Sequence, residues 1–95
     1  MNTPILFPWQ QEQVIRHSQR ILNSFQHWFG HSLLEVSGSP LQIAQALFEA
    51  PFPVYSHGTE PDPIFNYGNR TALELMELDW EQLIQMPSRY SAEPI

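Results

Sequence analysis

Between Val14 and Phe29 the apolar residues return every three or four positions. Val14, Ser18, Ile21, Phe25 and Trp28 fall on one line, and Ile15, Leu22 and Phe29 widen it. This period predicts an amphipathic helix from about Pro8 or Trp9 to Phe29. Gly30 would end it, because glycine enters the left-handed conformation at little cost. The large aromatic side chains Trp9, Phe25, Trp28 and Phe29 are expected to pack in the core, with a dimer face or ligand wall as the alternative. After the linker "EVSGS", Ser39 and Pro40 form a good helix start, cap followed by N1 proline. Leu41, Ile43, Ala44, Leu47 and Phe48 supply the apolar side of this second helix, and Pro51 disfavours helix at Ala50.

The pattern then changes. Phe52 to His57 and Ile64 to Tyr67 are aromatic and β-branched, as strands are, and Gly58, Pro61, Asp62 and Pro63 between them are turn residues. Pro53 has no N–H for a ladder and belongs at a strand start or on an outward side. Helical spacing resumes after Asn69, a cap for a helix carrying Ala72, Leu73, Leu75 and Met76. Asp79 opens a further turn, in which Gln82 can complete a capping box and Glu81 suits the helix dipole. Pro87 closes that turn.

Composition narrows the function classes. The chain has 95 residues, a net charge of −6 and 42% hydrophobic content, enough for one domain with a core. Its only Lys or Arg residues are Arg16, Arg20, Arg70 and Arg89. Four scattered arginines make no basic face, which argues against nucleic acid and against anionic membranes. No cysteine occurs, so disulfides, thiolate chemistry and zinc-thiolate or iron–sulfur sites are excluded. The apolar run from Ile5 to Trp9 is short and broken by Pro8, unlike a signal peptide or membrane span. A cytoplasmic protein is expected.

Several side chains have the chemistry of a site. His57, Glu60 and Asp62 at the hairpin tip could ligate a divalent ion by type. Pro61 and Pro63 stiffen that loop, and turn formation is the simpler role for the three. His57 with Asp62 remains the alternative metal pair. His27 and His31 have the four-residue spacing of a helical metal pair, but Gly30 falls between them. Ser56 and His57 are adjacent on a strand and point to opposite faces, so they cannot act as nucleophile and base. Phosphate-loop and serine-elbow motifs are absent.

"NRTALELMELDWEQLIQMP", Asn69 to Pro87, resembles the helix pair after the second strand of PAS domains. Glu77 and Gln85 stand where those domains commonly carry glycine. The longer stretch "SHGTEPDPIFNYGNRTALELMELDWEQLIQMPSRYSAEP" resembles the MEKHLA domain, a PAS-related module. The resemblance implies an α+β, incomplete PAS-like fold: N-terminal helices, a β-hairpin and a short helix pair, with the closing strands missing. On this reading residues 1–38 hold the amphipathic helix and linker. Residues 39–95 form the N-terminal part of the PAS-like domain, the whole being one structural domain.

Two consequences follow from the resemblance. The first strand of a PAS sheet is central, so here its outer edge would lack a neighbour, a template for self-association or for a partner strand. The mouth of the PAS pocket would lie where the second strand meets its helix. Tyr55, Phe65, Asn66, Tyr67, Asn69, Arg70 and Met76 become candidate ligand residues. Phe52, Val54 and Leu75 are expected beside them in the cup or core. The simpler roles are a helix cap for Asn69 and a pair with Glu74 for Arg70. The expected function is a non-catalytic sensory or protein-interaction module for a small apolar ligand or a partner. No cofactor is expected, neither a flavin adduct nor haem. A metal-assisted enzyme at the hairpin tip, or a non-functional shortened fragment, are the alternatives.

Overall fold

The computed structural model describes residues 7–91. The start of the Ile5 to Trp9 run, and the end of "PSRYSAEP" beyond Ser91, lie outside the described residues. Among the described residues, four α-helices and one two-stranded antiparallel sheet make an α+β fold. It divides into two compact units, the first running through Phe48 and the second beginning at Glu49. The first two helices both fall in the first unit.

In the first unit, a 3-10 turn at Pro8–Gln10 leads into α1, Glu12–Phe29. Gly30 ends α1 as expected, at φ 74°, with its N–H donating to Gln26 O at 2.9 Å. After the linker comes α2, Pro40–Phe48. Ser39 caps it reciprocally with Gln42: Gln42 N–H donates to Ser39 Oγ at 3.2 Å, and Ser39 N–H donates to Gln42 Oε1 at 2.9 Å. The unit's core is Val14 and Ser18 of α1 with Ala44, Leu47 and Phe48 of α2. The buried Ser18 hydroxyl donates back to Val14 O at 2.7 Å, which makes a polar side chain tolerable there.

The expectation that all the α1 aromatics pack inside is overturned. Trp28 is 76% exposed and Phe29 64%. The reason is length. At 1.5 Å per residue α1 is about 27 Å long and α2 about half that, so α1 outruns its partner. The buried residues of α1 both lie in its first half.

The second unit begins with β1, Tyr55–His57, paired antiparallel with β2, Phe65–Gly68. Tyr55 lies opposite Gly68, Ser56 opposite Tyr67 and His57 opposite Phe65, so Asn66 is an extra residue in a β-bulge. α3, Arg70–Met76, and α4, Trp80–Leu83, follow. Asn69 and Asp79 cap them, the latter in the expected box with Gln82. Beyond Pro87, where the sequence predicted only an ending, the chain turns back onto the hairpin. Phe65 N–H donates to Met86 O, Ser88 N–H donates to Pro63 O, and Ile64 bridges Pro87. A 3-10 turn at Ser88–Ser91 comes last among the described residues. None of the described helices is long and apolar enough to cross a membrane.

Candidate functional site

The hairpin and the start of α3 are joined by one side chain. Asn69 is fully buried, and its amide is committed on both sides. Oδ1 accepts from Val54 N–H at 2.9 Å and from Ala72 N–H at 3.1 Å, while Nδ2 donates to Phe52 O at 2.8 Å. The backbone adds Asn69 N–H to Val54 O at 3.0 Å. Asparagine serves here because it carries both a donor and a two-lone-pair acceptor on a short stem. Thr71 Oγ1 extends the same seam to Ala50 O at 2.8 Å.

β2 presents Phe65 and Tyr67 to the interior and Asn66 to solvent. Tyr67 is fully buried with Trp80 edge-on at 5.8 Å, and Phe65 meets the ring of Tyr55 at 5.8 Å. Trp80 thus completes the aromatic floor, a residue that helical spacing alone did not single out. Gly68 lies against Leu83, and a Cβ at Gly68 would clash with Leu83 Cδ2. The glycine of "NYGN" is therefore a point of close approach between β2 and α4, a role distinct from phosphate cradling.

The remaining candidates are scattered around this floor. Arg70 pairs with Glu49 at 3.4 Å, a partner that helical spacing does not suggest. Met76 is half-buried at the end of α3, and Leu75 beside it is 65% exposed, which removes Leu75 from the expected core. Leu75 follows Glu74 on the solvent side of a seven-residue helix whose one buried residue is Ala72.

At the tip, each polar residue has a local partner. Glu60 Oε1 accepts from Ile64 N–H at 2.6 Å, Asp62 pairs with Arg89 at 3.3 Å, and His57 Nδ1 lies 2.8 Å from Gly58 O. The Ile64 amide, helped by Glu60's own N–H and the charge of nearby His57, holds the Glu60 carboxyl below its ordinary range against a small desolvation effect. Ser56 Oγ donates to Asn66 Oδ1 across the bulge. Among the described residues no three His, Asp or Glu side chains converge as metal ligands would. His27 packs on Trp28 and His31 on Phe25, on either side of the left-handed Gly30.

Among the described residues the outer side of β1 forms an open edge of the sheet. Val54 O and Gly58 N–H both engage the β2 side. Strand alternation then points the N–H and C=O groups of Tyr55 and His57 the other way. The sheet holds two strands, so among the described residues no strand lies along that edge. Tyr55 stands there 39% exposed, with its hydroxyl 3.5 Å from Ala72 O.

Residues 15–95 match the family model described as the MEKHLA domain. No curated protein and no solved structure gives a significant match.

Proposed function

The chain belongs to the MEKHLA domain family, PAS-related sensory modules, and from that premise we propose that it is a non-catalytic interaction module taking an extended partner segment along β1. The observation that carries the reading is the open outer edge at Tyr55 and His57. Unpaired edge groups are a ready template for strand addition, in which main-chain bonds give affinity and neighbouring side chains give specificity. Tyr55 supplies an amphipathic contact at the edge, and Phe65 beneath it holds its ring in place. A small apolar ligand in the cup is less favoured, because Phe65 and Tyr67 already engage the rings of Tyr55 and Trp80. No cofactor enters this reading, and recognition needs no bond-making step.

The test uses the full chain, labelled for amide exchange, with extended peptides selected from a random library. A bound peptide should slow exchange at Tyr55 and His57 by tenfold or more. His57→Pro removes one outward donor while leaving the bonds of Ser56 to β2 in place, and should weaken binding about tenfold. Peptides that bind His57→Pro as well as they bind the wild type, with no protection at Tyr55, would refute strand addition. Protection centred on Met76 and Tyr67 would assign the module to small-ligand sensing instead.

A further inference from the structure

We infer that the second half of α1 is a self-association surface, whose occupant is the same segment of a second copy of this chain. The Phe25 and Phe29 rings meet at a tilt of 31° with centroids 4.5 Å apart, and His31 closes edge-on against Phe25 at 5.4 Å. Trp28 stands beside them, backed by His27 at 5.3 Å. These rings hold one another in place, so little side-chain freedom remains to be lost on docking.

Three observations single out a second copy. The first is spacing. Val14, Ile21 and Trp28 recur at intervals of seven, and so do Ile15, Leu22 and Phe29. This spacing keeps one apolar stripe along the length of the helix, which a facing helix can cover. Val14 is used within the unit, but the stripe continues to Phe29 where α2 no longer accompanies it.

The second is charge. From Ile21 to Leu34 the chain carries no Asp, Glu, Lys or Arg, whereas the net −6 falls wholly on residues 49–95. An uncharged stretch offers nothing to a charged partner, and it meets its own copy without repulsion. The third is area. Buried aromatics cover about 150–250 Å² each, so the exposed parts of Trp28, Phe29 and Phe25 offer roughly 250–450 Å² per copy. A stable interface takes about 800 Å² per partner. The shortfall predicts a transient two-fold dimer, populated at high protein concentration. Self-association through α1 does not depend on strand addition at β1.

Sedimentation equilibrium of the full chain from about 5 to 500 μM tests the proposal. The average mass should rise from 11.1 kDa toward twice that value. The double variant Trp28→Gln, Phe29→Gln should stay monomeric over the same range, or raise the dissociation constant at least tenfold, with unchanged helical circular dichroism. Leu41→Gln, an exposed apolar residue of α2, serves as the control and should associate like the wild type. Because the chain has no cysteine, Ser24→Cys provides an independent readout: oxidation at high concentration should give a covalent dimer. A wild type that remains at 11.1 kDa throughout, or a double variant that associates as the wild type does, overturns the inference. So does a monomer in which Trp28 is already shielded from hydroxyl-radical labelling, which would show the patch covered within a single chain.

Discussion

Through Phe48 the chain carries two arginines and two glutamates and rests on two helices of unequal length. From Glu49 onward it carries eight acidic residues, two arginines and side chains that reach across the sequence to bond the backbone. The bonds described in the first unit are local, Ser18 to Val14 and Ser39 with Gln42. In the second, Asn69 reaches Phe52 and Val54, and Thr71 reaches Ala50. Apolar area alone is tolerant of substitution and indifferent to partner. Buried polar fittings are neither, because each leaves an orphan when its counterpart goes. The first unit can accordingly afford an exposed aromatic end, whereas the second fixes its hairpin in one register.

That contrast can be broken at several points. Asn69→Ala should have the largest effect, destabilising the second unit by about 3 kcal/mol. It removes a helix cap, worth about 1 kcal/mol, and strands the Val54 N–H and the Phe52 carbonyl. Urea unfolding followed by amide exchange at Tyr67 and Ala72 would measure it; a loss below about 1 kcal/mol would deny the polar fittings their importance. Gly68→Ala should cost about 2 kcal/mol by forcing a methyl group against the buried Leu83. Glu77→Gly should act in the other direction. Glu77 ends α3 in the left-handed region at φ 56°, where glycine avoids a strain of about 1 kcal/mol, so the variant should gain roughly that much.

The smaller effects sharpen the comparison. With its folded-state carboxyl below the ordinary value, Glu60 favours the folded hairpin tip above the titration range of an unfolded glutamate. That contribution is lost as pH falls through the depressed folded value. Carbon-detected titration should place the Glu60 midpoint below those of ordinary glutamates, and Glu60→Gln should flatten the acid limb of tip stability. In the first unit, Trp28→Gln should change the stability of the monomer by less than about 0.5 kcal/mol, although it deletes the larger side chain. A large loss there would mean the aromatic end is interior after all.

Much of the second unit was legible in the sequence. The strands 52–57 and 64–67 predict the observed β1 and β2 to within three residues, and the caps at Asn69 and Asp79 fall where predicted. Capping and turn chemistry are local, so a few residues suffice to encode them. The bulge at Asn66, the return of residues 86–88 to the hairpin and the pairing of Arg70 with Glu49 are set by tertiary contact, and no local period announces them. The fate of Trp28 and Phe29 was illegible for another reason. Helical spacing reports which face is apolar, but not how far the neighbouring helix extends along it. Among the candidate residues, Asn69 could be read as a cap from its position before α3. Its two reaches back to Phe52 and Val54 could not.

The amide of Asn69 has a dynamic consequence. It ties the entry to β1 and the first turn of α3 to a single group, so neither can fray while the other persists. Slow opening at the two places should therefore occur as one event, with a shared rate and a shared response to denaturant. A segment that docks on β1 would, through this one knot, steady the helix as well.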